Sequence, residues 1–493
     1  MTASPLEAVG LLVACGGAAV AIAAPAWRWR WVALTVALVA APVLLAGDVW
    51  DDSRFADLRS SPALLGAGAL LVAVGIPAAV WAFRRWRWAF PALAFAVLAL
   101  RLPVRIGGET SSLLVPLYLV IGGGLATTLW DERRPGASPW TPPPAEATPV
   151  VWLRRLLAAT LVLYALQALY SEDVSNAIEN ACFFLVPFGA LFALLAEVRW
   201  TERLLSVAAI GVAAIGVGYA LVAFGEYAAR DLILNSELLE SNQIKPYFRV
   251  NSVFQDPNVL GRYLALVIIV LGAGVAWSRG QGRAGLATAT GLVLIAALVL
   301  TFSITSVIAL LVGLIALAGL RYGLRGGAAA GATTVAVGAV FFALGGPGGE
   351  DKGPDRSFNE VTSGRVGLVE GGLELAEDRP LLGWGSGAFG RAYFDQIRES
   401  ETTTSHSEPL TVAAEQGVVG VALYVALLGS ILWVMFGAGA RSSVARSAVA
   451  ACMVAIIAHS VGYAGFAIDP ATWGLLALGV ALYPGRAGQQ PAE

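Results

Sequence analysis

Only two histidines occur in the 493 residues of this chain. One of them, His406, stands in "TTTSHSEPLTVAAEQGVVG", where a polar, Ser/Thr-rich stretch gives way to a long apolar run. Imidazole titrates near neutral pH and can take a proton from a hydroxyl group. Glu408 is close in sequence and Glu415 lies about two helical turns further on, so either could orient the ring. No cysteine or second histidine stands nearby, which argues against zinc. Arginines supply a second kind of chemistry. In "ESNQIKPYFRVNSVFQDPNVLGRYLAL", Arg249 lies just before an apolar run and Arg262 about one turn inside it. In "SGRVGLVEGGLELAEDRPLLGWGSGAFGRAYFDQIRES", Arg365, Arg379 and Arg391 recur. A guanidinium can meet phosphate oxygens with two parallel hydrogen bonds. One base among several arginines fits chemistry on a phosphorylated, lipid-borne substrate. The arginines would hold a pyrophosphate and balance the charge it gains on leaving, and the histidine would deprotonate an attacking sugar hydroxyl.

Plainer roles compete at each position. Asp256-Pro257 is a good helix start, an N-cap followed by proline at the first helical position, and Asn258 reads with it. Arg249 and Arg262 could snorkel or pair, although an ionisable group within a membrane points to function by default. His459, inside an apolar run beside Ser460 and followed by Asp469, reads as a packed, hydrogen-bonded histidine. "GWGSGAFG" contains a formal GxGxxG at Gly385, Gly387 and Gly390. No strand precedes it and no βαβ unit surrounds it, so the dinucleotide reading fails. The glycines instead allow a tight turn and close approach to a substrate or a neighbouring helix.

The elements that position these residues are membrane spans. Only 13% of residues are charged and 57% are hydrophobic, against roughly 25% charged in a soluble domain. Apolar stretches long enough to cross a bilayer recur along most of the chain. They fall at about 6–26, 31–47, 63–83, 88–105, 112–130, 152–170, 175–196, 204–224, 258–277, 284–301, 304–320, 327–344, 417–437, 447–466 and 471–485. The expectation is an all-α polytopic membrane helix bundle of about 13–15 spans. No basic residue precedes the first run, so it is read as a span and not as a cleaved signal peptide. Cys15, Cys182 and Cys452 lie in apolar runs and indicate neither a disulfide framework nor a metal site.

Arginine sets the orientation. Arg28, Arg30, Arg84, Arg85, Arg87, Arg133, Arg134, Arg154, Arg155, Arg199, Arg203, Arg279, Arg283, Arg321, Arg325, Arg441, Arg446 and Arg486 fall in connections that alternate to one side. Arg54, Arg59, Arg101 and Arg105 are those of the opposite short connections. The positive-inside rule then places the N-terminus outside and the C-terminus in the cytoplasm. The proline-rich "RRPGASPWTPPPAEATP" becomes a cytoplasmic linker, and two long connections, 225–256 and 345–405, fall outside. Val366, Val369, Leu373 and Ala376 share one helical face in the second, which predicts an amphipathic helix on the outer membrane surface. The expected organisation is N-terminal membrane helices at 1–130, the linker at 131–151, a membrane domain at 152–485 with its core at 225–440, and a tail at 486–493. The net charge of −2 points to no nucleic-acid partner.

The order of "RVNSVFQDPNVLG", two closely spaced spans, "GRVGLVEGGLELAEDRPLLGWGSGAF" and "SHSEPLTVAAEQGVVGVALYV" resembles the O-antigen ligase and O-antigen polymerase superfamily over about residues 225–440. The most specific parts are the Pro-Leu-Leu-Gly-x-Gly element and His406 followed by "EQGVVG". The resemblance implies a helical architecture like that of the GT-C class of membrane glycosyltransferases. It also implies metal-independent glycosyl transfer, without a cofactor, at the outer face of the inner (cytoplasmic) membrane. The partners it implies are a glycan donor on an undecaprenyl-pyrophosphate (polyprenyl-pyrophosphate) carrier, a glycan or lipid-glycan acceptor, and membrane lipids. Carried over by motif, Arg249, Arg365 and His406 are the catalytic set, with His406 the acceptor-activating base. Arg262, Arg379, Arg391 and Glu408 are candidates for binding substrate. The chain departs from its relatives at the turn between the close spans, where many carry Ser-Arg. Here "TFSITSVIAL" places Ile304 at that arginine, and Arg262, Arg101 or Arg105 would have to stand in.

Two readings in other classes remain. A transporter would carry midplane charges, broken helices and internal repeats, whereas the candidate residues here gather on one side. A metal-dependent transferase could use Asp48, Asp51 and Asp52 of "GDVWDDSRF", which otherwise read as a solvated acidic loop. Within the transferase reading, ligase and polymerase share leaving group and base.

Overall fold

The computed structural model describes residues 3–50, 61–106, 109–132, 146–244, 247–278, 280–343, 365–397 and 405–484. Asp51 and Asp52, most of the proline-rich linker, the 344–364 and 398–404 parts of the second long loop, and the tail lie outside the described residues. So does the side chain of Arg365.

In chain order the helices are α1 (Pro5–Ala23), α2 (Trp27–Asp48), α3 (Pro62–Arg85), α4 (Ala89–Ala96), α5 (Val115–Glu132), α6 (Thr148–Ala168), α7 (Val174–Asn180), α8 (Val186–Leu195) and α9 (Glu202–Ala229). They continue as α10 (Ser236–Ile244), α11 (Pro257–Trp277), α12 (Gln281–Leu300), α13 (Ile304–Ala343), α14 (Arg365–Asp378), α15 (Phe389–Gln396), α16 (Glu408–Phe436), α17 (Val444–Gly462) and α18 (Pro470–Ala481). Eleven helices among the described residues are long and apolar enough to cross a membrane. The chain is a multi-pass, all-α membrane protein.

Three local departures from the predicted spans matter. The expected 88–105 span is short: α4 and a 3-10 turn at Val97–Ala99 end the helix, and a hairpin of β1 (Leu102–Ile106) and β2 (Glu109–Leu113) follows. Arg101 therefore stands where the helix stops instead of lying beyond a complete span. The last span is likewise short, at Pro470–Ala481. The 304–320 and 327–344 runs are the two arms of α13. The helix breaks at Gly323, with φ 79°, and a Cβ on Gly327 would meet the Gly319 backbone at 3.2 Å.

Helix starts follow their sequence signals. Ser4 and Glu7 form a capping box on α1, with Pro5 in its first turn. Asp256-Pro257 opens α11 and Asp469-Pro470 opens α18, each aspartate capping its helix. One apolar core runs through the bundle, and a smaller one, with Leu375, Trp384, Phe389 and Tyr393, lies between α14, α15 and α16. The Val369 and Leu373 side of α14 is exposed, and the helix packs through Leu375 and through Gly371 and Gly372 against Tyr393 and Leu410. It is the glycine face that docks on the protein. The valine and leucine face is left open.

At the opposite end of the bundle from the residues described next, Glu197 Oε1 accepts from Arg30 Nη1 at 2.9 Å and Arg154 Nη2 at 2.7 Å. The same arginines donate to the last carbonyls of α1, at Ala21 and Ile22. All three side chains are buried, and the cluster ties α1, α2, α6 and the end of α8. Arg154 also pairs with Glu146 at 3.0 Å, so Glu197→Ala would take the carboxylate from the buried Arg30 and one of two from Arg154, a loss of about 3–5 kcal/mol. Thermal unfolding in detergent should show a large drop; an unchanged midpoint would contradict the role given to this cluster.

A candidate active site at one end of the bundle

His406 adopts a left-handed backbone conformation, φ 56°, which costs a non-glycine residue about 1–2 kcal/mol. The buried Ser405 imposes it. Its Oγ donates to the Ser407 carbonyl at 2.7 Å and accepts from the Ser407 amide at 3.1 Å, closing the chain around His406. It also meets Thr411 Oγ1 at 2.8 Å. Ser252 and Phe302, at the same end of the bundle, are left-handed as well. Strain of this kind gathers at functional sites.

The imidazole faces Tyr463, at 6.0 Å between ring centres, and His459 lies 5.6 Å from the same tyrosine. Tyr463 follows the end of α17 and donates its hydroxyl to Asp256 Oδ2 at 2.8 Å. The other oxygen of Asp256 caps α11 through the Asn258 amide at 2.6 Å. Asp469 repeats the arrangement. Its Oδ1 caps α18 at the Ala471 amide, 3.0 Å, and its Oδ2 pairs with Arg262 Nε at 2.8 Å. The Arg262 guanidinium lies 6.0 Å from the Tyr463 ring centre. Arg101 joins from the end of the short α4 segment, its guanidinium 5.6 Å from the Phe254 ring. Burial lowers Arg101 from its ordinary value, with Asp469 opposing and Arg262 adding to the effect; an arginine stays charged all the same. Burial, then Asp256, pushes the Tyr463 phenol up, which keeps it a neutral donor.

Below this cluster, Ser303 and Ser306 of the α12–α13 turn bond to Asn258, and Ser306 Oγ meets His459 Nε2 at 3.2 Å. His459 is fully buried, the packed, hydrogen-bonded histidine that the sequence indicated. Arg249 donates from Nε to the Thr301 carbonyl at 3.0 Å, at the same turn, and Asn242 holds its backbone on both sides. Ile304 opens α13 and is 72% exposed.

Glu408 and Glu415 have work other than orienting imidazole. Glu408 Oε2 accepts from the Gly465 and Phe466 amides at 2.7 and 3.1 Å, which fixes the chain after Tyr463. Glu415 accepts from the Gly387 and Phe389 amides at 2.8 and 3.1 Å. The loop before α15 docks here through Gly383, Gly385 and Gly387, all with positive φ. A Cβ on Gly385 would press into Ser171, and one on Gly383 into the Glu415 backbone. Gly417 breaks α16 with φ 60° and lies against Leu381. Gln167 and Tyr170 bind the Leu382 carbonyl from α6 and the turn after it. The glycines thus serve close approach to neighbouring chain. A cavity of about 270 Å³ lies beside this joint, mostly apolar in its lining, with Asn176, Asn180, Glu408, Glu415 and Gln416 among its polar residues.

Of the residues singled out in sequence, His406, Arg262 and Arg101 meet around Tyr463, and Arg249 sits at the adjoining turn. Arg365 begins α14. Arg379 and Arg391 have partners of their own. Arg379 pairs with Glu172 at 2.6 Å and covers Trp384, and Arg391 pairs with Asp395 at 2.8 Å on the exposed side of α15. Tyr463 was missed, and so was the pairing role of Asp469. The available signal was the second Asp-Pro helix start, "FAIDPATW", which repeats "VFQDPNVL".

Two substitutions test the construction. Tyr463→Phe should lower stability by about 1–3 kcal/mol, because Asp256 loses a donor in a part-buried setting; an unchanged melting temperature would contradict that bond. Gly385→Ala should undock the loop, read as faster proteolytic cleavage near residue 385; wild-type resistance would show that the close approach is not required.

Residues 289–425 match the family model described as O-Antigen ligase. No curated protein matches the chain. The matched stretch runs from α12 into α16 and encloses Arg365 and His406. Residues 289–425 are thus similar to the O-antigen ligase family, within a chain whose many apolar helices make it a multi-pass membrane protein.

Proposed function

We propose that the protein transfers a glycan from an undecaprenyl-pyrophosphate carrier to an acceptor hydroxyl at the outer face of the cytoplasmic membrane. The N-terminus would lie outside and the C-terminus in the cytoplasm. The observation that carries the reading is the strained His406 beside Tyr463, within a cluster that also holds Arg262 and inside the family-matched stretch. His406 takes the proton of the acceptor hydroxyl, and the acceptor oxygen forms a bond to the anomeric carbon. The bond from that carbon to the pyrophosphate oxygen breaks, and its electron pair leaves on the carrier. Arginines balance that charge where it develops, with Arg249 and Arg365 assigned by motif and Arg262 by position. No metal step is needed. The cavity beside Glu408, mostly apolar with a few amide and carboxylate side chains, has the size for a sugar ring. The region 152–485 is the ligase-like domain in this reading, and 1–130 supports it.

Transfer by purified full-length protein from a polyprenyl-pyrophosphate glycan tests the proposal. Loss of the base in His406→Ala should lower the rate by about a hundredfold or more, at equal folding, with EDTA without effect on wild type. Full activity in the variant would remove the base assignment, and abolition by EDTA would remove metal independence. The product separates the alternatives: a single addition identifies a ligase, and a ladder of repeat units on the carrier identifies a polymerase. No transfer with any acceptor would favour a polysaccharide or anion transporter.

A further inference from the structure

The first long loop leaves and re-enters the bundle at one side chain. Glu226 stands in the last turn of α9 and is buried. Its Oε1 accepts from the Ile233 amide at 3.3 Å, where the loop begins. Its Oε2 accepts from the Asn251 and Ser252 amides at 3.2 and 2.8 Å, where the loop ends. One carboxylate thus closes the neck of a loop that carries α10, and Arg249 stands in that neck. Asn242 of α10 accepts from the Arg249 amide at 3.1 Å and donates to its carbonyl at 2.9 Å. The Val250 amide donates to the Leu300 carbonyl at 3.2 Å. Every amide from Arg249 to Ser252 therefore has an acceptor outside the segment. The Arg249 side chain is fixed in turn by its Nε bond to the Thr301 carbonyl. This backbone is held against opposition. Ser252 is left-handed, φ 52°. The Asn251 side-chain amide and the Ser252 hydroxyl are buried with no hydrogen-bond partner among the described residues. Buried polar groups ordinarily find partners, and a left-handed residue other than glycine persists where its surroundings over-determine it.

We infer that Glu226 is a positioning residue for Arg249: its carboxylate fixes the backbone beside the arginine so that the guanidinium meets the α12–α13 turn, next to Ser303 and Asn258. A carboxylate suits the task because both of its oxygens only accept, and bonds from amides to a charged acceptor are strong. Amides arrive here from both ends of the loop, one set on each oxygen. A glutamine would turn its N–H₂ group against one set. The strained Ser252 and the unpaired Asn251 side chain are the other half of the argument. The segment lies where Glu226 and Asn242 hold it, not where its own polar groups would be satisfied, and what is delivered by that placement is Arg249. Glu226 lies outside the family-matched 289–425, as Arg249 does. The inference rests on the transferase reading for what Arg249 does, not for what Glu226 holds.

Two measurements on the purified full-length protein in detergent test it. Hydrogen–deuterium exchange reads the holding, and transfer from a polyprenyl-pyrophosphate glycan reads its consequence. In Glu226→Gln the Asn251 and Ser252 amides should exchange about tenfold faster or more, with protection in α11 and α17 unchanged. The same variant should lose about tenfold or more in kcat with the acceptor KM unchanged, because a misplaced guanidinium fails the leaving group and not the acceptor. Added to Arg249→Lys, Glu226→Gln should cost no more than about twofold further, since the arginine it positions is already gone. Unchanged exchange at Asn251 and Ser252 would overturn the inference whatever the rate. So would an equal cost of Glu226→Gln in the wild-type and Arg249→Lys backgrounds, which would make Glu226 a general structural residue. Faster exchange in Glu226→Gln together with no transfer by the wild type would leave Glu226 as the holder of Arg249 and defeat the transferase reading, so the two failures are distinguishable.

Discussion

Two aspartates, each followed by proline, hold the site together by using both oxygens of one carboxylate. Asp256 caps α11 with one oxygen and receives the Tyr463 hydroxyl on the other. Asp469 caps α18 with one and pairs with Arg262 on the other. A helix N-terminus favours negative charge through its free amides and dipole, so each carboxylate is fixed before it meets its distant partner. The consequence is geometric. The starts of α11 and α18 and the end of α17 are locked to one another, and Tyr463 becomes the surface against which both histidines rest.

The surrounding bilayer makes such economy necessary. Polar groups within apolar surroundings must be satisfied by protein, and the structure does this by giving carboxylates to backbone amides. Glu408 takes the amides of Gly465 and Phe466, and Glu415 those of Gly387 and Phe389. The family-like "EQGVVG" segment is therefore a docking device: Glu415 anchors the loop, and Gly417 opens the helix to receive it. Because these carboxylates hold the scaffold, His406 is positioned by its backbone, through Ser405, and by the tyrosine face. Positioning of a reacting group is itself a large catalytic factor.

The helical, many-span architecture was legible because apolar run length and cap residues are local signals. Asp256-Pro257 and the packed character of His459 were read from a few neighbours. What escaped depends on pairing across the chain. The Arg379–Glu172 pair joins distant parts of the chain and shows only in three dimensions, whereas Arg391–Asp395 is a local i,i+4 pair. Tyr463 carries no motif and acquires its place only when α17 meets α11. The docking of α14 through Gly371 and Gly372 was not foreseen, because their close approach to Tyr393 and Leu410 is set by distant parts of the chain. Arg101 seemed to lie past a complete span, because nothing in the apolar run at 88–105 announces the hairpin that cuts the helix short.

The proposed reaction requires the arginines and the histidine around Tyr463 to act as a single centre. The most direct measurement is an experimental structure of the full-length protein with polyprenyl pyrophosphate bound. Pyrophosphate oxygens are expected within hydrogen-bond reach of Arg262 or Arg101, with the terminal phosphate on the His406 side of Tyr463. A pyrophosphate bound elsewhere, with His406 facing no part of the ligand, would contradict it.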